Sequence, residues 1–259
     1  MKIAAVVFDW AGTMVDFGSV APVIAMQQAF QAEGLAVAVE EVRADMGRAK
    51  RDHVRAILNT PRVTAAWIAA KGAAPGESDI DLIHDAVLPF MQEAGVARAR
   101  LIPGVLETVK ALRAGQVPIG STTGYTRDMM TPILAAAAAQ GYSPDSVVCA
   151  GETKAGRPSP LMLWKTMVDL GVYPSQDVVK VDDAPVGIEE GKAAGCFTIG
   201  VAASGNELGL DLESYGAMAA PERAQRLEKA RKTLLAAGAD LVIESVADLI
   251  PALKSAGRF

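Results

Sequence analysis

At 259 residues the chain is long enough for one large α/β unit or for a core with a smaller insertion. Apolar residues make up 51% of it and charged residues 21%, which supplies a packed core and excludes a disordered or fibrous protein. A net charge of −5 excludes the basic surface that neutralises a phosphate backbone, so no nucleic-acid partner is expected and any phosphate-bearing ligand is small.

The first apolar run, Ile3 to Phe8, ends in a glycine-containing turn and predicts a buried strand with Asp9 at its carboxyl end. The run is too short for a secretory segment or a membrane span, so no membrane partner is expected and the expected location is cytoplasmic. Residues 17–97 are rich in Ala, Gln and Glu, carry no convincing strand, and predict an inserted all-helical cap. The chain returns near Leu101–Gly104, where Pro and Gly mark a boundary before a helix from Val105 to Arg113. Beyond it, apolar runs at Val117–Thr122, Ser146–Ala150, Val178–Val181, Phe197–Val201 and Leu241–Ile243 alternate with helical segments. This order predicts a doubly wound, Rossmann-like parallel sheet, with a core of residues 1–16 and 98–259 and a cap of residues 17–97. The cap is expected over the carboxyl ends of the strands, where ligands bind in such sheets.

The two cysteines, Cys149 and Cys196, lie in or beside β-branched runs and read as buried reduced thiols. The two histidines, His53 and His84, are remote from both, so a hard cation held by carboxylates is the metal class that remains.

Four segments place chemistry at strand ends. Asp9, in FDWAGT, follows the first strand, although a lone Asp there is commonly a turn or cap residue. In STTG, Thr123 and Gly124 let backbone amides approach an anion at a helix start, and an ordinary strand-to-helix turn has the same pattern. In GRPSP, Arg157 precedes a proline suited to a helix start, and its planar fork matches phosphate or phosphonate oxygens. In VKVDDAPVG a strand ends in Asp182 and Asp183, which with Asp9 form an oxygen site of the kind Mg²⁺ takes. Within the insertion, Met46, Lys50 and His53 are spaced i, i+4 and i+7, one face of a helix if the stretch is helical. A lysine there is ordinarily solvated and a methionine ordinarily core.

In this order the four segments resemble the haloacid dehalogenase-like superfamily, across the whole core. That family usually carries a second Asp two residues after its nucleophile, where this chain has Ala11, a departure that disfavours an ordinary phosphomonoesterase. FDWAGTMVDFG, MGRAKRDHVRAI, GSTTGYTRDMM, AGRPSP and SGNELG together look like the phosphonoacetaldehyde hydrolases, in core and cap alike. The resemblance implies carbon–phosphorus bond hydrolysis of a small phosphonate, with Asp9 as nucleophile, Lys50 as an imine-forming amine and His53 moving protons. It implies Mg²⁺ held by the side chains of Asp9 and Asp183 and the carbonyl of Ala11, with Asp182 structural. Substrate contacts would come from Met46, Thr123, Gly124, Tyr125 and Arg157, and the assembly would be a homodimer. Where the family can carry a cysteine this chain has Ser19, to which no role is assigned.

An imine-forming Lys50 must lose its proton near neutral pH, and burial or the charges of Arg48 and Arg51 are the expected causes. The apolar face of Val20–Phe30 is available either to a dimer contact or to the chain's own core. The alternatives are a generic phosphatase on the same core, which leaves Lys50 without a purpose, and a silent phospholigand-binding protein.

Overall fold

A computed structural model describes residues 3–259, so the first two positions of the expected core lie outside the described residues. The chain opens on β1 (Ala5–Phe8), buried at every position, as expected of a parallel strand covered on both faces. It then enters five helices, α1 (Ala21–Ala32), α2 (Val39–Arg43), α3 (Lys50–Leu58), α4 (Pro61–Lys71) and α5 (Glu77–Ala97). The remainder alternates: α6 (Val105–Ala114), β2 (Ile119–Thr123), α7 (Arg127–Ala139), β3 (Ser146–Cys149), α8 (Leu161–Leu170), β4 (Val178–Asp182) and α9 (Pro185–Ala194). It ends with β5 (Phe197–Val201), α10 (Leu212–Ala217), α11 (Ala220–Ala236), β6 (Leu241–Ile243) and α12 (Leu249–Ser255).

The strands form one six-stranded sheet in the order β3-β2-β1-β4-β5-β6, and every pairing is parallel. Val6 of β1 is opposite Ile119 on one side and Val179 on the other, so the strand order reverses at β1. The crevice at the carboxyl end of such a reversal is where this architecture admits a ligand.

The insertion leaves and returns as a pair of hydrogen-bonded crossings. Val15 bridges Leu101, the Ile102 amide donates to the Met14 carbonyl at 2.9 Å, and the Asp16 amide donates to the Arg100 carbonyl at 3.2 Å. Asp16, buried and with φ of 55°, accepts from the Ala21 amide at 2.8 Å, satisfying a free N–H at the start of α1.

One apolar cluster runs from Val6 and Phe8 on β1 through Ile133 on α7 into Met26, Phe30 and Met91 of the insertion. The apolar face of α1 is spent within it: Val23, Met26, Ala29 and Phe30 are buried inside the chain, and α1 packs along α5. This face therefore belongs to the protein's own core and is not offered as a dimer contact. Cys149 and Cys196 are free and buried. Among the described residues, no helix is long and apolar enough to cross a membrane.

Candidate active site

Because β1 and β4 are neighbours, Asp9 and the acid pair that ends β4 meet at one edge. The Asp9 amide donates to the Val181 carbonyl at 3.0 Å, and oxygens of Asp9, Asp182 and Asp183 lie within 4.8 Å of one another. Burial disfavours the charged form of a carboxyl group, and neighbouring carboxylates add to the penalty. Burial first, and then the charge of Asp182, push Asp9 up to about 6. Burial, Asp9 and Asp182 push Asp183 well above the usual carboxylate range. Burial acts on Asp182 in the same direction, but Arg157 and Lys180 outweigh it and hold that carboxyl below its ordinary value.

The chain's own cations thus neutralise Asp182, while the charge on Asp9 and Asp183 stays in excess. That donor set fits a hard divalent cation, which commonly takes one or two protein carboxylates. Gly12, at φ +81°, closes over the pair: a Cβ there would lie 2.2 Å from Asp183 Oδ2. Only glycine allows that approach.

Arg157 is buried behind Asp9. Its Nη1 donates to Asp9 Oδ1 at 2.8 Å and lies 3.4 Å from Asp182 Oδ2. Its Nε donates to Glu190 at 2.9 Å, and its Nη2 to the carbonyl and hydroxyl of Thr122 at 2.7 and 2.8 Å. Lys180, equally buried, lies 2.9 Å from Asp182 and 3.2 Å from Glu190. The fork expected to bind phosphonate oxygens is here taken up by protein partners, so Arg157 aims the Asp9 carboxylate. Glu190 and Thr122 escaped the sequence reading. Lys180 was the available signal, because a charge inside an apolar strand must find a buried partner.

The amine comes from the insertion. Lys50 is the first residue of α3 and only 2% exposed. The expected helical face from Met46 to His53 is interrupted, since Gly47 has φ of +91° and Ala49 is extended at ψ 138°. Met46 therefore sits in a turn before the helix, yet it lines the same cavity as Lys50. The Lys50 ammonium nitrogen stands 4.8 Å from the centre of the Tyr125 ring. Burial lowers Lys50 to about 8, with Asp9 opposing the shift and Arg157 adding to it. Arg48 and Arg51 are not the cause: Arg48 pairs with Asp45 at 2.7 Å and Arg51 with Asp81 at 2.6 Å, both toward solvent.

His53 lies behind Lys50. Its Nε2 donates to the Val42 carbonyl at 2.6 Å, which leaves the lone pair on Nδ1. Burial, then the charge of Lys50, lower it to about 3, so the ring is neutral.

Asp9, Ala11, Lys50, Tyr125 and Asp183 line one small, narrow cavity, with Thr123, Gly124, Met46 and Ser19 also on its wall. A Cβ on Gly124 would lie 2.5 Å from the Arg48 carbonyl and 2.6 Å from that of Gly47. This glycine is required where the insertion's backbone rests on the core, a different reason from the anion approach expected. A more open groove at the crossings, lined by Phe17 and Arg98 and by the acids Asp16, Asp211 and Glu213, does not bring its carboxylates close enough to share a cation.

The haloacid dehalogenase-like hydrolase family model matches residues 3–195. The phosphonoacetaldehyde hydrolase of Paraburkholderia phytofirmans is 48% identical over 249 residues, which is 96% of this chain and 93% of that protein. The phosphonoacetaldehyde hydrolase of Hahella chejuensis is 44% identical over 257 residues, 99% of this chain and 87% of that protein. The crystal structure of a phosphonoacetaldehyde hydrolase-like protein from Oleispira antarctica matches with a TM-score of 0.97 at 42% identity, covering 98% of this chain and 92% of that one.

Proposed function

Because the chain belongs to the haloacid dehalogenase-like hydrolases, and within them to the phosphonoacetaldehyde hydrolases, we propose that it cleaves the carbon–phosphorus bond of phosphonoacetaldehyde, giving acetaldehyde and phosphate. The observation that carries this reading is a buried lysine amine and a strand-end carboxylate lining one small cavity. Phosphorus bonded to carbon has no oxygen leaving group, so the departing electron pair needs a sink. In the proposed reaction Lys50 Nζ condenses with the aldehyde, losing water, and the protonated imine is that sink. The Asp9 carboxylate attacks phosphorus, and the carbon–phosphorus electron pair moves into the imine to form an enamine. Protonation at carbon and hydrolysis release acetaldehyde and return Lys50, while a second water hydrolyses the aspartyl phosphate. A carbon leaving group needs no acid beside the nucleophile, which accords with Ala11. The Nδ1 lone pair of His53 is proposed to relay protons in the condensation, although burial leaves the ring a weak base and it stands outside the cavity wall.

The side chains of Asp9 and Asp183 and the Ala11 carbonyl would hold a magnesium ion. When bound, it supplies positive charge to the phosphonate oxygens. Phosphate release is expected to cease in chelator, and Asp183→Ala to raise the magnesium concentration for half-activation by roughly 10-fold or more. Full activity in chelator would reject the site.

Residues 17–97 are proposed as the cap that encloses this chemistry, in a cytoplasmic homodimer whose assembly light scattering can check. The rate of imine formation is expected to rise with pH and level off above about 8, because Lys50 is lowered to that value. A rate that climbs on toward about 10.4, the ordinary lysine value, would show that Lys50 is not the amine. The functional assignment is tested by comparing phosphate release from phosphonoacetaldehyde with that from simple phosphomonoesters. Faster release from the esters would return the chain to a generic phosphatase.

A further inference from the structure

Asp9 and Asp183 are carried by core strands and Lys50 by the insertion, so the reaction depends on how the two are held together. Arg43, the last residue of α2, reaches out of the insertion into the core. In the core its Nη1 donates to Asn206 Oδ1 at 3.0 Å and its Nη2 to the Gly209 carbonyl at 3.1 Å, while Nη1 also ties back to the Gly18 carbonyl, at the insertion's entry, at 3.0 Å. Asn206 answers through Nδ2, which donates to the Arg43 carbonyl at 3.2 Å. The receiving loop is shaped for the guanidinium: Gly209 has φ of +68°, and a Cβ there would lie 2.8 Å from Arg43 Nε.

The same two residues touch both halves of the site. The Asn206 amide donates to Asp183 Oδ2 at 2.7 Å. One residue before Arg43, the Val42 carbonyl accepts from His53, which lies behind Lys50. The Arg43 carbonyl also accepts from the amide of Met46, on the cavity wall, at 3.2 Å. The loop before Asn206 is fixed in turn, because Ser204 donates to the Gly12 carbonyl at 2.7 Å and accepts from the Gly18 amide at 2.7 Å.

We propose that Arg43 and Asn206 are a positioning pair, which holds the insertion in register so that Lys50 stands over Asp9 while the Asp183 carboxylate is aimed. Neither residue lines the cavity. The kinetic consequence rests on the imine reading above, whereas the structural consequence does not.

Arg43→Lys keeps the charge and loses the fork. Asn206→Ala removes the side-chain arm and leaves the backbone donor to Asp183 in place. In each variant, hydrogen exchange in α2 and α3 is expected to quicken by about tenfold with the sheet unchanged, and kcat to fall by about tenfold at nearly constant KM. Magnesium binding to Asn206→Ala, measured by calorimetry, should stay within about twofold of the parent, since the backbone donor remains. The double variant should lose less than the two single losses combined, because the Nη1–Oδ1 bond is common to both. A role in folding alone would lower the melting temperature and leave kcat of the folded protein unchanged. Arg43→Lys, the milder change, carries the test if Asn206→Ala does not fold. Unchanged exchange and kcat in Arg43→Lys, or additive losses in the double variant, would overturn the pairing. If the parent protein releases no phosphate from phosphonoacetaldehyde, the functional reading fails and the exchange measurement still decides the pair.

Discussion

Asp9→Ala is expected to lower phosphate release by about 10⁴-fold or more while the protein stays folded, as for removal of the nucleophile from a catalytic unit. No neighbour can take its place. Asp182 has one oxygen 2.9 Å from Lys180 and the other accepting from the Ala184 amide at 3.1 Å, and Asp183 accepts from Asn206. The fold should tolerate the change because the carboxylate sits where burial and Asp182 disfavour its charge. Removing it relieves that crowding, and Arg157 keeps Glu190 and Thr122 as partners.

The sign of the pH dependence follows from the raised value. Folding without metal lifts Asp9 from 3.8 to about 6, so the folded state holds the extra proton between those values. Its contribution to stability is present below about 3.8 and is lost as pH rises through about 6. Across that window, measured in chelator, the melting temperature of Asp9→Ala should gain on that of the parent. Asp9→Asn should be equally inactive, since it offers Arg157 an acceptor but phosphorus no nucleophile. Phosphate release above about 1% of the parent rate in either variant would remove Asp9 from its role.

All six strands were legible because strands buried on both faces are written as apolar runs, and their ends moved by no more than two residues. The acid pair and Asp9 were legible for the same reason, each marking where such a run stops. Spacing alone misplaced Met46, because an i, i+4 pattern does not register the left-handed turn at Gly47. The cause of the Lys50 shift was misread because Arg48 and Arg51, its neighbours in sequence, point away toward Asp45 and Asp81. Arg43 and Asn206 stand 163 residues apart and bond largely through carbonyls and amides, which leave no residue pattern to read.

Borohydride added with phosphonoacetaldehyde, or with acetaldehyde alone, is expected to fix a covalent adduct on Lys50, because a lysine imine is reducible and an aspartyl phosphate gives no bond to carbon. Selectivity follows from burial. With a value near 8, Lys50 carries roughly 200 times more free amine near neutral pH than a solvated lysine at about 10.4. Lys180 is also buried, but it is committed to Asp182, Glu190 and Thr122. Lys50→Arg should lose both trapping and turnover, the latter by about 10⁴-fold, since a guanidinium keeps the charge without offering a free amine. Lys50→Met, of similar length, separates chemistry from packing: a site where burial already disfavours the ammonium charge should accept a neutral side chain and stay folded. Digestion and mass spectrometry should place the label between Met46 and His53. An adduct on another lysine, with Lys50→Arg still active, would withdraw the imine and leave a hydrolase acting through Asp9 alone.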